Sequence, residues 1–232
     1  MISLLRSSER GHTNLGWLDS RHTFSFGDHH DPNRTGFSHL RVINEDRVEP
    51  GQGFGKHGHR DMEIVSFVLS GALEHKDSLG TGSVIRPGEV QRMSAGTGVT
   101  HSESNPSPRA PVHFMQVWIL PDRSGLAPEY EQKNFPVEER RDRLCLAVSP
   151  DGREGSLKIH QDARIYLSTL RPQRSLAHAP AAGRSAWIQL TRGRVDLNGV
   201  LLQEGDGAAV SGETRIGITA REEADLLLFD LA

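Results

Sequence analysis

Glycine and proline interrupt this sequence at short intervals along its whole length, with 24 glycines and 12 prolines among 232 residues. Both residues favour turns, so the segments between them are brief. Several of these segments are rich in β-branched, aromatic and aliphatic residues, namely "HLRVI" (39–43), "EIVSFVLSG" (63–71), "VHFMQVWIL" (112–120) and "DLLLFDL" (225–231). Such a pattern predicts an all-β fold, a sandwich or a barrel. The best helical segment, "PVEERRDRL" (136–144), is short and mostly charged.

Two long stretches of the chain share a rhythm. Residues 67–103 and 188–222 each run from an apolar strand to a glycine, through a second strand, and past an acidic "PGE" or "EGD" turn to another strand. This self-similarity indicates an internal duplication. We therefore expect two domains, residues 1–130 and residues 131–232, because the composition becomes charged and proline-bearing near residues 128–143.

The overall composition excludes some classes of function. A formal charge of −3 provides no basic excess for neutralising phosphates, so direct nucleic-acid binding is not expected. No segment approaches the roughly 20 apolar residues that cross a bilayer. The first residues lack the apolar region of a signal peptide. With a single cysteine, Cys145, no intrachain disulfide can form. We expect a cytoplasmic protein without a membrane partner.

Two histidine-containing pairs point to a metal site. His57 and His59 are two residues apart, as are His101 and Glu103. Residues at this spacing share one face of a strand, and strands lie about 4.8 Å apart. Pairs on neighbouring strands can therefore converge on one ion. Glycines beside each pair would allow tight backbone turns, namely Gly53, Gly55 and Gly58 on one side and Gly96 and Gly98 on the other. The pattern predicts a site of His57, His59, His101 and Glu103.

The residue pattern leaves two questions open. Glu63 follows His59 by four residues, shares its strand face, and competes with Glu103 for the carboxylate position. Three imidazoles and one carboxylate also suit iron, manganese, nickel, cobalt, copper or zinc. A metal that prefers six ligands would keep two open positions for substrate, whereas a tetrahedral zinc would be closed and structural.

The sequence resembles a known family at these same motifs. "GFGKHGHRDMEIVSFVLSG" is similar to the first cupin motif and "GTGVTHSESN" to the second. The longer stretches "WLDSRHTFSFGDHHDPNRTGFSHLRVINEDRVEPGQGFGKHGHRDMEIV" and "MSAGTGVTHSESNP" resemble the pirin family more narrowly. Gly71 comes one residue late for a general cupin, and Gly96 stands where proline is usual, but both departures are also pirin-like.

The resemblance implies a bicupin, two antiparallel, jelly-roll-like β-barrels packed face to face, with a metal only in the N-terminal barrel. It implies that Glu103, not Glu63, is the carboxylate ligand, and that one divalent ion is bound, Fe(II) being expected and Mn, Ni, Co, Cu or Zn being alternatives. The C-terminal half has only His160 and His178, and "TRIGITA" stands where the first half has "GVTHSES". We therefore expect no metal site there.

The resemblance also implies an activity, the cleavage of flavonols such as quercetin by dioxygen with release of carbon monoxide. Glu103 would be the catalytic residue that accepts the proton of the substrate hydroxyl. We further expect four side chains to line the substrate pocket, Phe54, Met93, Met115 and Trp118. "GDHHDP" (27–32) is expected to be a surface loop. The alternative function is a metal- or redox-sensing regulator that binds partner proteins and has no catalytic substrate.

Overall fold

The structure, a computed structural model, describes residues 1–232 and consists almost entirely of β-strands. Eleven strands precede residue 120: β1 (Ile2–Leu5), β2 (Gly11–Asn14), β3 (Leu18–His22), β4 (Leu40–Val48), β5 (Gly53–His59), β6 (Glu63–Ser70), β7 (Leu73–Asp77), β8 (Gly82–Ile85), β9 (Glu89–Ser94), β10 (Val99–Ser104) and β11 (Val112–Ile119). Eleven more follow: β12 (Glu129–Asn134), β13 (Cys145–Ser149), β14 (Leu157–Lys158), β15 (Ala163–Leu170), β16 (Ser175–His178), β17 (Ser185–Arg192), β18 (Arg194–Leu197), β19 (Val200–Gln203), β20 (Gly207–Ser211), β21 (Ile216–Ala220) and β22 (Ala224–Leu231).

Helical structure is confined to three short pieces. The single α-helix, α1, spans Val137–Arg140, inside the one segment with a helical pattern. Single 3₁₀ turns occur at Ser7–Glu9 and Arg153–Gly155. The all-β prediction is confirmed. The four predicted strands correspond to β4, β6, β11 and β22, and their ends agree to within one residue except that β4 continues to Val48. No helix of the structure has the length and apolar character needed to cross a membrane.

The chain forms two compact units. The N-terminal unit comprises Gly11–Asn134 and Leu157–Gln161, and the C-terminal unit comprises Met1–Arg10, Phe135–Ser156 and Asp162–Ala232. These two units are defined by contacts within the folded chain and do not test domain boundaries along the sequence. The predicted division into domains 1–130 and 131–232 stays a prediction.

The N-terminal unit contains two antiparallel sheets. The larger has the strand order β12-β9-β6-β11-β4-β3-β2, and the smaller has the order β5-β10-β7-β8. Phe114, Val48 and Ile85 belong to one fully buried apolar cluster of this unit, and Ile64 and Met93 belong to another. These side chains are buried because apolar residues recur on the strand faces that are removed from water.

The C-terminal unit repeats this connectivity. Its smaller sheet has the order β16-β21-β18-β19, which is the order β5-β10-β7-β8 advanced by eleven strands. In its larger sheet β20, β17, β22 and β15 are consecutive neighbours, matching β9, β6, β11 and β4. The stretches that share a rhythm in the sequence, 67–103 and 188–222, fall on corresponding strands. The repeated strand order is what an internal duplication would produce.

Candidate metal centre

Three histidine rings from two neighbouring strands of the smaller N-terminal sheet meet at one point. β5 and β10 pair antiparallel, with His101 opposite His57 and Val99 opposite His59. Nε2 of His101 lies 3.0 Å from Nε2 of His57 and 2.9 Å from Nε2 of His59. The structure therefore brings together the three imidazoles that the sequence singled out.

One of these rings is oriented by the backbone of its own strand. Nδ1 of His57 lies 2.8 Å from the carbonyl oxygen of Gly55. A carbonyl oxygen only accepts hydrogen bonds, so Nδ1 of His57 carries the proton and donates it. In the neutral ring the other nitrogen, Nε2, then presents a lone pair to the point where the three rings meet. That arrangement suits a cation.

Glu103 is buried beside His101 but is not part of the group of three. Its ligand oxygen belongs instead to a second group, with His75 and His101, whose ligand atoms lie within 4.8 Å of one another. Oε2 of Glu103 accepts a hydrogen bond of 2.8 Å from Nε2 of Gln116, while Oε1 is buried with no hydrogen-bond partner. A buried carboxylate oxygen without a partner is costly, and a cation would satisfy it. The predicted set of four ligands stays a prediction.

Glu63, the competing carboxylate, faces a different neighbourhood. It lies at the start of β6 and accepts a hydrogen bond of 2.8 Å from the hydroxyl of Ser94. It is absent from both groups of potential ligands. Burial raises the pKa of Glu63, and the hydrogen bond from Ser94 opposes this. The geometry gives Glu63 a role in holding β6 and β9 together.

Burial dominates the electrostatics of His59 and His101. It lowers the pKa of His59 from 6.5 to about 4, with the nearby charge of His57 acting in the same direction. It lowers the pKa of His101 to about 3, with His57, His59 and His75 adding to the effect. Both rings are therefore neutral at pH 7, which is the form that binds a metal.

The same burial acts in the opposite direction on the carboxyl group. It raises the pKa of Glu103 from 4.5 to about 7, against the hydrogen bond from Gln116 and with a smaller contribution from the charge of Asp46. A carboxyl group with a pKa near neutrality is suited to exchanging protons.

Glycines shape the two strands in different ways. Gly96 (φ +46°) and Gly98 (φ +138°) form the turn before β10, as the sequence predicted. Gly53, Gly55 and Gly58 lie within β5 and form no turn, contrary to the prediction. A Cβ on Gly53 would clash with the carbonyl oxygen of Glu103 and lie 2.5 Å from Cα of Ser104, so this glycine allows β5 and β10 to approach.

The ladder between β5 and β10 contains a β-bulge. His101 pairs with His57 and Glu103 pairs with Phe54, so two residues of β5, Gly55 and Lys56, lie opposite one residue of β10. Phe54 and His57 both line the same pocket although they are three residues apart. Strict alternation would place them on opposite faces, so the bulge gives the pocket both side chains.

A pocket of about 510 Å³ opens onto the histidines and Glu103. Two aromatic pairs form much of its wall: Trp17 packs edge-on against Phe54 at 5.5 Å, and Phe26 packs edge-on against Trp118 at 5.4 Å. Trp118 in turn packs against His59 at 4.9 Å. The pocket is therefore an aromatic cavity that ends at the candidate metal centre.

The pocket prediction was half right. Phe54 and Trp118 line the cavity, but Met93 and Met115 are fully buried core residues that do not. Their sulfur chemistry suited a pocket, but they lie inside packed strands of the larger sheet. "GDHHDP" (27–32) is a largely exposed loop as predicted, yet Gly27 and Asp28 at its start also reach the pocket.

A polar strip on the larger sheet was missed by the sequence reasoning. Ser20 pairs with Asp46 and His22 with Asn44 across β3 and β4, and all four line the pocket. Ser20 donates a hydrogen bond to Asp46, and His22 lies 2.9 Å from Oδ1 of Asn44. Both strands are polar at consecutive positions here, 19–22 and 44–47, so the sequence contains no alternation that would show which side chains face the pocket.

Comparison with known families identifies both halves of the chain. Residues 5–119 match the family model Pirin, and residues 146–231 match the model described as the quercetinase C-terminal cupin domain.

Several known proteins are similar over the full length. A protein named quercetin 2,3-dioxygenase from Escherichia coli K12 is 49% identical over 231 residues, which cover 100% of this chain and 99% of the relative. A putative quercetin 2,3-dioxygenase from Pasteurella multocida is 42% identical, with complete coverage of both chains. The crystal structure of the bacterial pirin YhhW from Escherichia coli in complex with nickel(II) has a TM-score of 0.95 and 50% identity, covering 100% of this chain and 99% of that one.

Proposed function

Because the chain belongs to the pirin family and carries its two cupin domains, we propose that it is a metal-dependent dioxygenase that cleaves flavonols such as quercetin with O₂ and releases carbon monoxide. The observation that carries this proposal is that Nε2 of His57 and Nε2 of His59 each lie within 3.0 Å of Nε2 of His101. These three nitrogens meet at the end of an aromatic pocket of about 510 Å³. Relatives named quercetin 2,3-dioxygenase support the choice of reaction.

The residues present fit a divalent metal ion. His57, His59 and His101 offer imidazole nitrogens, and Glu103 offers a buried oxygen that lacks a hydrogen-bond partner. This mixed nitrogen and oxygen set suits divalent first-row metals, and a relative with 50% identity has been solved with nickel(II). We propose Fe(II) as the ion used in catalysis, held by these four side chains.

When bound, the ion would lower the pKa of the flavonol 3-hydroxyl and favour its enolate form. Glu103 would accept the proton of that hydroxyl. In the metal-free site burial raises the pKa of this carboxyl group to about 7, which is suited to proton exchange at neutral pH, and Gln116 holds Oε2 in place.

The pocket walls would bind and orient the substrate. Phe26, Phe54 and Trp118 provide flat apolar surfaces for aromatic rings. On the polar strip of β3 and β4, Asp46 and Asn44 provide oxygens that can accept hydrogen bonds from phenolic hydroxyl groups. A polyhydroxylated aromatic molecule combines both requirements.

The test compares the turnover of variants at two buried carboxylates, Glu103 in the pocket and Glu63 outside it. Metal-stripped protein is reloaded anaerobically with Fe(II) or Ni(II), and quercetin loss, O₂ uptake and carbon monoxide release are measured together. His57→Ala and Glu103→Gln should each lower turnover by at least about 100-fold, as expected for loss of a ligand or proton acceptor. Glu63→Gln, which alters a buried carboxylate outside the pocket, should retain metal binding and most turnover.

Two results would refute the proposed reaction. One is undiminished quercetin cleavage by metal-free protein. The other is full metal loading without any O₂ uptake in the presence of quercetin, which would instead favour the regulatory alternative.

A further inference from the structure

Behind His101, away from the pocket, lies a second buried pair of charged or chargeable side chains. His75 and Asp77 belong to β7, which pairs with β10 on the side opposite β5, and Asp77 is directly across from His101. Both side chains are completely buried, and Nε2 of His75 lies 3.0 Å from Oδ2 of Asp77. Neither residue lines the pocket. A buried histidine and aspartate with no access to substrate need another explanation.

The carboxylate of Asp77 is fixed by the turn after β7. Its Oδ1 accepts hydrogen bonds from the backbone N–H groups of Leu79, at 2.9 Å, and Thr81, at 3.0 Å. Its Oδ2 therefore faces His75. An ionised carboxylate only accepts hydrogen bonds, so Nε2 of His75 must carry a proton and donate it. The neutral ring of His75 consequently has its lone pair on Nδ1.

That lone pair faces His101. Nδ1 of His75 lies 3.4 Å from Nδ1 of His101 and 3.2 Å from the side-chain amide nitrogen of Gln91. The amide group of Gln91 donates to the lone pair on Nδ1 of His75. A second lone pair, on Nδ1 of His101, would face that lone pair at 3.4 Å and repel it, so the proton of His101 is placed on Nδ1. Nε2 of His101 is then the nitrogen with the lone pair, and it is this atom that lies beside Nε2 of His57 and His59.

We propose that Asp77 and His75 are positioning residues that fix His101 in its Nδ1–H form and so aim the lone pair of Nε2 at the metal centre. The inference rests on the proposed metal site and adds the device that prepares it. The carbonyl group of Gly55 does the same for His57. Two of the three rings are thus set in the ligand form before an ion arrives.

The same hydrogen bonds decide between the two possible groups of ligands. The group of His75, His101 and Glu103 would need lone pairs on the facing Nδ1 atoms of both rings. With a proton on Nδ1 of His101, that group cannot hold an ion between the two rings. The metal centre therefore forms on the side of His57 and His59.

Asp77→Asn is the decisive variant because it keeps the shape of the side chain. The two backbone N–H groups would hold the amide oxygen, leaving the amide NH₂ to face His75. His75 would then have to accept on Nε2 and donate from Nδ1, and His101 would have to move its proton to Nε2. Ni(II) affinity, measured by calorimetry at pH 7.5, should fall about 10–100-fold, the usual effect of losing an outer partner of a metal ligand.

The direct readout is nitrogen NMR of the histidine rings in metal-free protein, without substrate. Wild-type His101 should show a protonated Nδ1 and an unprotonated Nε2, and Asp77→Asn should reverse this pattern. Asp196→Asn is the matched control, since Asp196 also accepts a backbone N–H in a turn, from Gly199, but lies in the C-terminal unit. It should leave both the ring signals and Ni(II) affinity unchanged.

A second pair of variants covers the case in which Asp77→Asn fails to fold. His75→Gln retains an acceptor for His101 and should keep Ni(II) affinity within a few-fold of wild type, whereas His75→Leu should lose affinity as Asp77→Asn does. Wild-type His101 protonated on Nε2, or equal affinity of His75→Leu and wild type, would overturn the inference. Failure of quercetin turnover alone would overturn only the proposed reaction, because the ring signals need neither metal nor substrate.

Discussion

The side-chain amide of Gln116 donates a hydrogen bond of 2.8 Å to Oε2 of Glu103. Trp118 fixes the orientation of this amide group. Its indole nitrogen, which can only donate, donates a hydrogen bond of 3.0 Å to the amide oxygen of Gln116. Trp118 therefore contributes an aromatic wall to the pocket and also fixes the group that holds Glu103. Substrate binding and carboxylate chemistry share one structural support.

Replacing Gln116 by leucine should weaken metal binding most strongly below neutral pH. The hydrogen bond from Gln116 opposes the rise in the pKa of Glu103, so its loss should raise that pKa further and keep the carboxyl group protonated. Hydrogen bonds to charged groups contribute about 1.5–3 kcal/mol, which predicts a loss of about 10-fold or more in Ni(II) affinity at pH 6.5. Calorimetry at pH 6.5 and 8.5 measures this, with Trp118→Phe expected to show a smaller loss. Equal losses at both pH values would contradict the explanation.

Glu103→Gln should stabilise the metal-free protein at high pH. The folded-state pKa of Glu103 is raised from 4.5 to about 7, so its favourable effect on folding is present below pH 4.5 and is lost as the pH rises through 7. The variant should therefore gain on the order of 2 kcal/mol of unfolding free energy at pH 8 relative to its effect at pH 5. Urea unfolding of metal-stripped protein measures it, with Glu138→Gln on the exposed helix α1 as control.

Acid should lower the unfolding free energy of both the wild-type protein and Glu103→Gln. His59 and His101 have folded-state pKa values of about 4 and about 3 against an ordinary 6.5. Lowered pKa values contribute stability above pH 6.5 that is lost as the pH falls toward 4, because the unfolded chain takes up protons first. If the unfolding free energy changes between pH 5 and pH 8 by as much in Glu103→Gln as in the wild-type protein, Glu103 is not the group that opposes folding at pH 8.

Phe26→Ala should impair substrate binding without affecting the metal. Phe26 lies in the 23–39 connection between β3 and β4 and packs edge-on against Trp118. Aromatic pairs contribute about 0.5–1.5 kcal/mol beyond burial, so KM for quercetin should rise about 3–10-fold while Ni(II) affinity stays constant. Phe37→Ala, in the same connection but outside the pocket, is the control. A parallel fall in Ni(II) affinity would indicate a wider rearrangement.

Gly53→Ala should loosen the strand pair that carries the ligands. The added methyl group would meet the backbone of Glu103 and Ser104, so β5 and β10 would have to separate. We expect a loss of about 1–3 kcal/mol in the unfolding free energy and weaker Ni(II) binding. Gly55→Ala is a matched control in the same strand, since a Cβ there would have no heavy atom within 4 Å. Similar Tm values for the two variants would contradict this account.

The sequence predicts the repeated β architecture and the three histidines well, because both follow from spacing. Period-two placement puts His57 beside His59, and turn residues mark the strand ends. It predicts His75 and Asp77 poorly, although they have the same spacing, because nothing local shows that β7 will pair with the far side of β10. Met93 and Met115 were misplaced for a related reason: residue type alone does not say which face of a strand a pocket will touch.

The bulge in β5 gives the length of that strand a chemical meaning. Gly55 and Lys56 together occupy the space opposite one residue of β10, which is why Phe54 and His57 can share a wall. Removing either residue would restore a regular ladder in which Phe54 and His57 are two residues apart and still share the pocket face. A single-residue deletion between residues 54 and 57 should therefore be tolerated better than removal of Gly58, which would make His57 and His59 adjacent and put them on opposite faces.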